Sequence, residues 1–281
     1  MILSLHALDR FGLHSLPGVG AAAARLRWPG FRKVRRQVCK RLRRRMRDLG
    51  LDNFAAYRAR LEADPTEWRV LDECCHITIS RLFRDSGVFE VLRTCVLPKI
   101  AARAEREGRS AQVWSAGCAS GEEPYTIKVL WDVEVATAYP TVPLSIVASD
   151  VDDAMLARAR EGRFELTSLH EMPQPLVQQA FERIGSMYRV KSKHREGIEF
   201  LDQDLRSEMP AHLFDLILCR YLAFTYFSAP LQRKVMVAML ERLRSNGYFV
   251  IGAHEKLPGD VPGLVSLMGE PQIFRKESVS E

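Results

Sequence analysis

From Phe31 onward, apolar residues recur at steps of three and four, at Phe31, Val34, Val38, Leu42, Met46 and Leu49, while arginines fill the opposite face. That period predicts an amphipathic helix with one buried stripe, and Gly50 is placed to end it. A second helix is predicted at 53–61, carried by Phe54, Tyr57 and Leu61, and a third at 66–75. Pro98 lies within a further helical stretch that it either kinks or restarts, and Gly108 closes the helical part. Residues 1–30 lack this period. Pro17, Gly18, Gly20 and an alanine run read as a loose leader, with a short helix at 21–27.

Beyond Gly108 short apolar runs alternate with amphipathic stretches. Strands are predicted at 112–116, 144–149, 198–201, 214–219 and 248–252, and helices at 124–136, 153–161, 173–183 and 231–244. This alternation predicts an α/β fold with a mainly parallel sheet covered on both faces. The stretch 188–201 is polar and alternating, with turn signals at 193–197, and predicts a small β-hairpin insertion standing off the main sheet. The expected organisation is a leader (1–30), a helical domain (31–108) and an α/β domain (109–281).

Composition narrows the classes. With 47% hydrophobic and 27% charged residues in 281, the chain can build a packed core and is not disordered. No apolar run approaches the roughly 20 residues needed to span a bilayer, and Asp9 and Arg10 interrupt the first apolar stretch before a secretory cleavage site. Six cysteines without C-x-x-C spacing argue against structural zinc and against a disulfide scaffold, and for a reducing cytoplasm. The seven histidines show no ligand spacing, so no metal is expected; His254 alone falls where ligands bind. Net charge is +6, yet residues 31–47 hold ten Lys/Arg and no acid, which leaves 31 bases against 35 acids elsewhere. One basic element is carried on a mildly acidic body. Ten cations on a helix suffice for salt-dependent nucleic-acid binding, but no aromatic residues are interleaved with them and no nucleic-acid motif is present.

The first strand of the α/β part runs into Ser115-Ala-Gly-Cys-Ala-Ser-Gly-Glu-Glu-Pro-Tyr and then a helix. Small residues there let backbone N–H groups approach a ligand at the positive end of a helix. It is neither a P-loop nor G-x-G-x-x-G. Glu122 and Glu123 would repel a phosphate and suit a ligand bearing an amine or sulfonium. The second strand ends in Ser-Asp-Val-Asp-Asp at 149–153, where an acid commonly accepts ribose hydroxyls, a role that falls to Asp150. Asp152 or Asp153 then serves as helix N-cap. The two loops together favour S-adenosylmethionine over NAD.

The loop VWSAGCASGEEPYTI, the strand end ASDVDDAMLARAR, and FDLILCR followed by YF resemble the chemotaxis-receptor methyltransferase (CheR-type) family. The resemblance extends to RRMRDLGLDNFAAYRARL and TISRLFRD and covers about residues 31–258. It implies a helical domain ahead of a Rossmann-like S-adenosylmethionine domain with a small β insertion, and methyl transfer to glutamates of helical chemoreceptors, with S-adenosylhomocysteine as the other product. Position by position, it implies that Arg84 lies near the cofactor and the reacting centre, with Thr78 and Ser80 as polar contacts of changed residue type. Gly117 and Glu123 fall in the cofactor loop, Asp150 on the ribose, Asp204 and Leu205 beside the adenine, and Tyr221 and Leu222 beside the donor. Tyr226 matches the active-site tyrosine. Tyr221 stands where the family carries asparagine. A carboxylate attacking a sulfonium methyl needs placement more than a base; Arg84 could hold the incoming carboxylate, or the donor's own carboxylate, by a bidentate contact, or could pair structurally with Asp85. The basic helix 31–47 is expected to receive an acidic helical protein acceptor. A small-molecule acceptor, or a non-catalytic adaptor that only binds the cofactor, are the competing readings.

Overall fold

Residues 34–76, 79–259, 261–267 and 269–278 are described by the computed structural model; the expected leader, Phe31 and Thr78 lie outside them. Two compact units emerge. One comprises the described residues before Ile79 together with Thr225–Gln232, the other Ile79–Phe224 and the chain from Arg233.

The first unit is built on helices α1 (Arg35–Asp48), α2 (Phe54–Ala63) and α3 (Glu67–Cys75). The stripe on α1 buries Val38, Leu42 and Met46 against Tyr57, Leu61, Leu71 and Cys75, as its spacing requires. Asn53 caps α2 by accepting the Ala56 N–H at 2.9 Å. Glu67 is buried at the start of α3, which is tolerable only because its charge is answered. Arg45 reaches it from α1 with two hydrogen bonds of 2.9 and 2.6 Å, and the Tyr57 hydroxyl donates at 3.0 Å. The Arg45 hydrogen bond holds the Glu67 carboxyl below its ordinary range, while burial pushes the Tyr57 hydroxyl up. Arg41 covers the end of α3 by donating to the carbonyls of Glu73 and His76.

The second unit opens with α4 (Ser86–Val91), a π-helical turn at Leu92–Val96, and α5 (Leu97–Arg106), in whose first turn Pro98 sits. The helix runs on through Pro98 without a break, the π turn before it passing directly into α5. The main sheet has seven strands in the order β6-β2-β1-β7-β8-β10-β9: β1 (Ala111–Ala116), β2 (Leu144–Asp150), β6 (Ile198–Asp202), β7 (Phe214–Leu218), β8 (Leu243–Val250), β9 (Leu264–Leu267) and β10 (Glu270–Lys276). The five strands from β6 to β8 run parallel, so their C-terminal ends share one edge; β10 and β9 join antiparallel. Helices α6 (Glu122–Leu130, continued by a π turn at Trp131–Val135) and α7 (Asp153–Glu161) follow β1 and β2. Asp152 caps α7 through the Met155 N–H. At the opposite edge, buried Asp215 accepts from Arg103, from both Nη atoms of Arg109 and from the Gln112 N–H. Burial pushes its carboxyl up, but these contacts win and hold it low.

The structure corrects several boundaries. The predicted helix at 173–183 ends as α8 (Gln174–Ala180), and the alternating Phe181-Glu-Arg-Ile that follows forms strand β4 (Phe181–Ile184). The expected hairpin is shared out between two sheets. Met187–Val190 is β5, the middle strand of a small antiparallel sheet β3-β5-β4, with β3 at Arg163–Glu165. Ile198–Asp202 instead pairs with β2 in the main sheet. Buried Phe164, Phe181 and Val190 anchor the small sheet to the core. Helices α9 (Ala223–Tyr226) and α10 (Ala229–Arg242) lead into β8, which begins at Leu243 rather than 248 because Leu243 pairs with Phe214 across a register shift.

Candidate functional site

The loop after β1 turns on Gly117 and Gly121, at φ +81° and +90°. Gly117 is required twice over: its N–H binds the Ser149 carbonyl at 2.8 Å, and an added Cβ would stand 2.6 Å from Leu222 Cδ2. Trp114 donates to the Ser149 hydroxyl and ties β1 to β2 beneath the loop. Asp150 leaves β2 with its carboxylate fixed by the Ala119 N–H (2.8 Å) and the Asp152 N–H (3.0 Å). Burial raises its pKa, and these backbone donors offset part of the rise. Gln203 donates to the Asp150 carbonyl, bringing Asp204 and buried Leu205 alongside; the Asp204 carboxylate folds back onto the backbone and guanidinium of Arg206. Cys118, within the loop, is buried, and desolvation pushes its thiol well above the ordinary range.

The paired glutamates have separate partners. Glu122 is buried against the Ser120 hydroxyl. Glu123 accepts from the Ser115 hydroxyl at 2.7 Å and from Arg220 at 3.0 Å. Arg220 is nearly enclosed, packs against the Phe89 ring, and also binds Asp85 at 2.7 Å and the Arg84 carbonyl at 2.6 Å. Asp85 accepts in addition from the Tyr221 hydroxyl at 2.6 Å. Burial pushes the Asp85 carboxyl up, but Tyr221 and Arg220 outweigh it and hold it low. The expected ion pair of Arg84 with Asp85 is thus taken by Arg220. Arg84 donates to the Ile79 carbonyl, and its guanidinium lies 3.8 Å from the centre of the Tyr221 ring.

Tyr221 itself is held at four points. Its N–H binds Glu255 at 2.8 Å, its hydroxyl binds Asp85 and accepts from the Ala253 N–H at 3.2 Å, and its ring abuts Gly252, where an added Cβ would lie 2.9 Å from Cε1. Five non-glycine residues among those described have positive φ, and four of them belong here: Phe83 and Asp85, which flank Arg84, together with Ala119 and Tyr221. Left-handed backbone costs such residues on the order of 1–3 kcal/mol each and persists only where the surroundings enforce it. Sequence reading missed Arg220, Glu255 and Ser115, and gave Asp85 to Arg84 rather than to Arg220. Arg220 stood in plain view beside Tyr221, but no spacing rule links it to acids 97 and 135 residues away.

Ser80 is half-buried nearby in sequence to Arg84. Tyr226 packs against the helical core of the first unit. His254 lines an open cleft of about 780 Å³ with Lys256, Leu257 and Phe274, and that cleft shares Ala253 and Glu255 with the contacts of Tyr221.

The donor set fits an amino-nucleoside. A carboxylate stands at the end of the second strand, where sheets of this kind commonly present an acid to ribose hydroxyls, glycines admit close approach, and Arg220 beside the loop has its charge spent on Glu123 and Asp85 rather than offered to a pyrophosphate.

Family comparison agrees. Residues 78–273 match the CheR methyltransferase SAM binding domain, and residues 33–72 match the CheR methyltransferase all-alpha domain. A chemotaxis protein methyltransferase 2 of Pseudomonas aeruginosa is 32% identical over 224 residues, 78% of this chain and 77% of that protein. A probable chemotaxis protein methyltransferase of Rhizobium etli is 30% identical over 243 residues, 83% of this chain and 88% of that protein. An uncharacterized 104.1 kDa protein of Rhodobacter capsulatus is 32% identical over 222 residues, and there the match spans only 23% of the relative.

Proposed function

Because the chain belongs to the CheR methyltransferase family, whose S-adenosylmethionine domain it carries, we propose that it esterifies glutamate carboxylates on an acidic helical protein of chemoreceptor type. The observation that carries this reading is Arg84, presented on a bend with left-handed residues on either side and linked through Asp85 and Arg220 to the donor-loop Glu123. Bound S-adenosylmethionine supplies a methyl group on a cationic sulfur, with S-adenosylhomocysteine as the leaving product. A carboxylate oxygen forms the new bond to carbon while the carbon–sulfur pair returns to sulfur, and no proton moves. Asp150 accepts the ribose hydroxyls, Glu123 faces the donor's ammonium, and Arg84 holds the acceptor carboxylate in line. Exposed Arg36, Lys40, Arg43 and Arg44 on α1 steer the acidic acceptor. Six free thiols suit a reducing cytoplasm.

Incubating the protein with methyl-labelled S-adenosylmethionine and a purified chemoreceptor cytoplasmic domain should leave label on glutamates, released as methanol by mild alkali. Alkali-stable label, or none, would sink the reading. Tyr221 in place of asparagine favours a second one, a free carboxylic acid as acceptor; the same assay with small carboxylates, giving volatile esters, decides between them.

A further inference from the structure

We propose that Tyr221 is a positioning residue for Arg84: its ring is the platform that fixes the guanidinium plane, leaving the N–H edge to receive a carboxylate. The inference rests on the reading above, in which Arg84 holds the acceptor, and adds how this chain accomplishes that without the family's asparagine. A guanidinium carries its five donors in one plane. A ring stacked on one face therefore consumes no donor and removes the rotational freedom that a long side chain would otherwise lose on binding. At 3.8 Å the Tyr221 ring is in full contact with Arg84, whereas Arg220 lies 5.8 Å from the same ring and is committed to Glu123 and Asp85. The platform is anchored. Its hydroxyl donates to Asp85, its N–H goes to Glu255, and Gly252 supplies the space that the ring edge occupies. Asparagine adopts left-handed backbone readily and tyrosine does not, so a tyrosine at φ +58° is kept in place by what its ring and hydroxyl do.

The stacking has a signature independent of catalysis. In protein carrying ¹⁵N-arginine, the Nε–H resonance of Arg84, assigned by its loss in Arg84→Lys, should be shifted upfield by the Tyr221 ring current. Tyr221→Phe should keep that shift, and Tyr221→Leu should abolish it. With the receptor fragment as acceptor, Tyr221→Leu should raise the acceptor KM about tenfold, the size a desolvated cation–π contact supports; Tyr221→Phe should recover most of the loss. If the leucine variant does not fold, Tyr221→Asn, suited to the left-handed backbone, should show the same lost shift and raised KM. A wild-type resonance without the shift, or an unchanged KM once the ring is gone, overturns the proposal. Arg84→Ala with wild-type KM would overturn it differently: the ring-current shift would persist in the wild type, and the fault would lie in the acceptor role of Arg84.

Discussion

Asp150 shows how one carboxylate can couple donor binding to pH. In the free protein burial raises its pKa, with the Ala119 and Asp152 N–H groups opposing the rise. In the proposed role its ionised form accepts from ribose hydroxyls, so binding favours loss of the proton. Affinity for S-adenosylhomocysteine should therefore be flat above the raised pKa and fall as pH drops through it, by up to tenfold per pH unit. Calorimetry across the acid range checks this, and Asp150→Asn should both weaken binding and flatten the profile. A profile of unchanged slope in that variant would move the titrating group elsewhere. The place of Asp150 at the end of β2 was readable from sequence because a strand end and an acid are local signals. Arg220 and Asp85 were not, since their pairing exists only once β7 lies beside β1 and the bend before α4 reaches both.

At the level of the element, α1 combines opposite tendencies. Arg36, Lys40, Arg43, Arg44 and Arg47 are exposed on it at helical spacings, no acid lies in its first turn, and no side chain caps its start. Like charges three and four residues apart each cost a few tenths of a kcal/mol, so the helix stands on its buried stripe and on the Arg45–Glu67–Tyr57 contacts. Salt should then act in two directions. Raising it should screen the self-repulsion and lift the melting temperature of the helical unit, while slowing methylation of an acidic protein acceptor. Replacing Arg36, Arg43 and Arg44 by Glu should abolish that methylation, leave donor affinity intact, and remove the stabilising effect of salt; rates equal to wild type would separate the basic face from acceptor recognition. The period of α1 made it legible in the sequence, whereas β4 was hidden because Phe181–Ile184 continues the apolar spacing of the helix before it. The β9–β10 hairpin went unseen for a related reason, its alternation being weak and half-exposed.

Across the whole molecule, what was legible was the order of elements and the edge where the loops meet; what was not was the division of residues 188–201 between two sheets, which depends on Ile198–Asp202 finding β2. Each unit nevertheless closes on a core of its own, and the buried cysteines turn that into a chemical clock. Cys75 is sealed in the helical core, its thiol pushed up to about 12 chiefly by burial, while Cys118 and Cys219 are sealed in the other unit. None can be alkylated at neutral pH until its surroundings open, so each peptide's rate of modification, followed by mass spectrometry, times the opening of its own region. S-adenosylhomocysteine should slow Cys118 and Cys219 by the factor one plus concentration over Kd and leave Cys75 at its original pace. Equal slowing of all three would mean that the chain opens as one body.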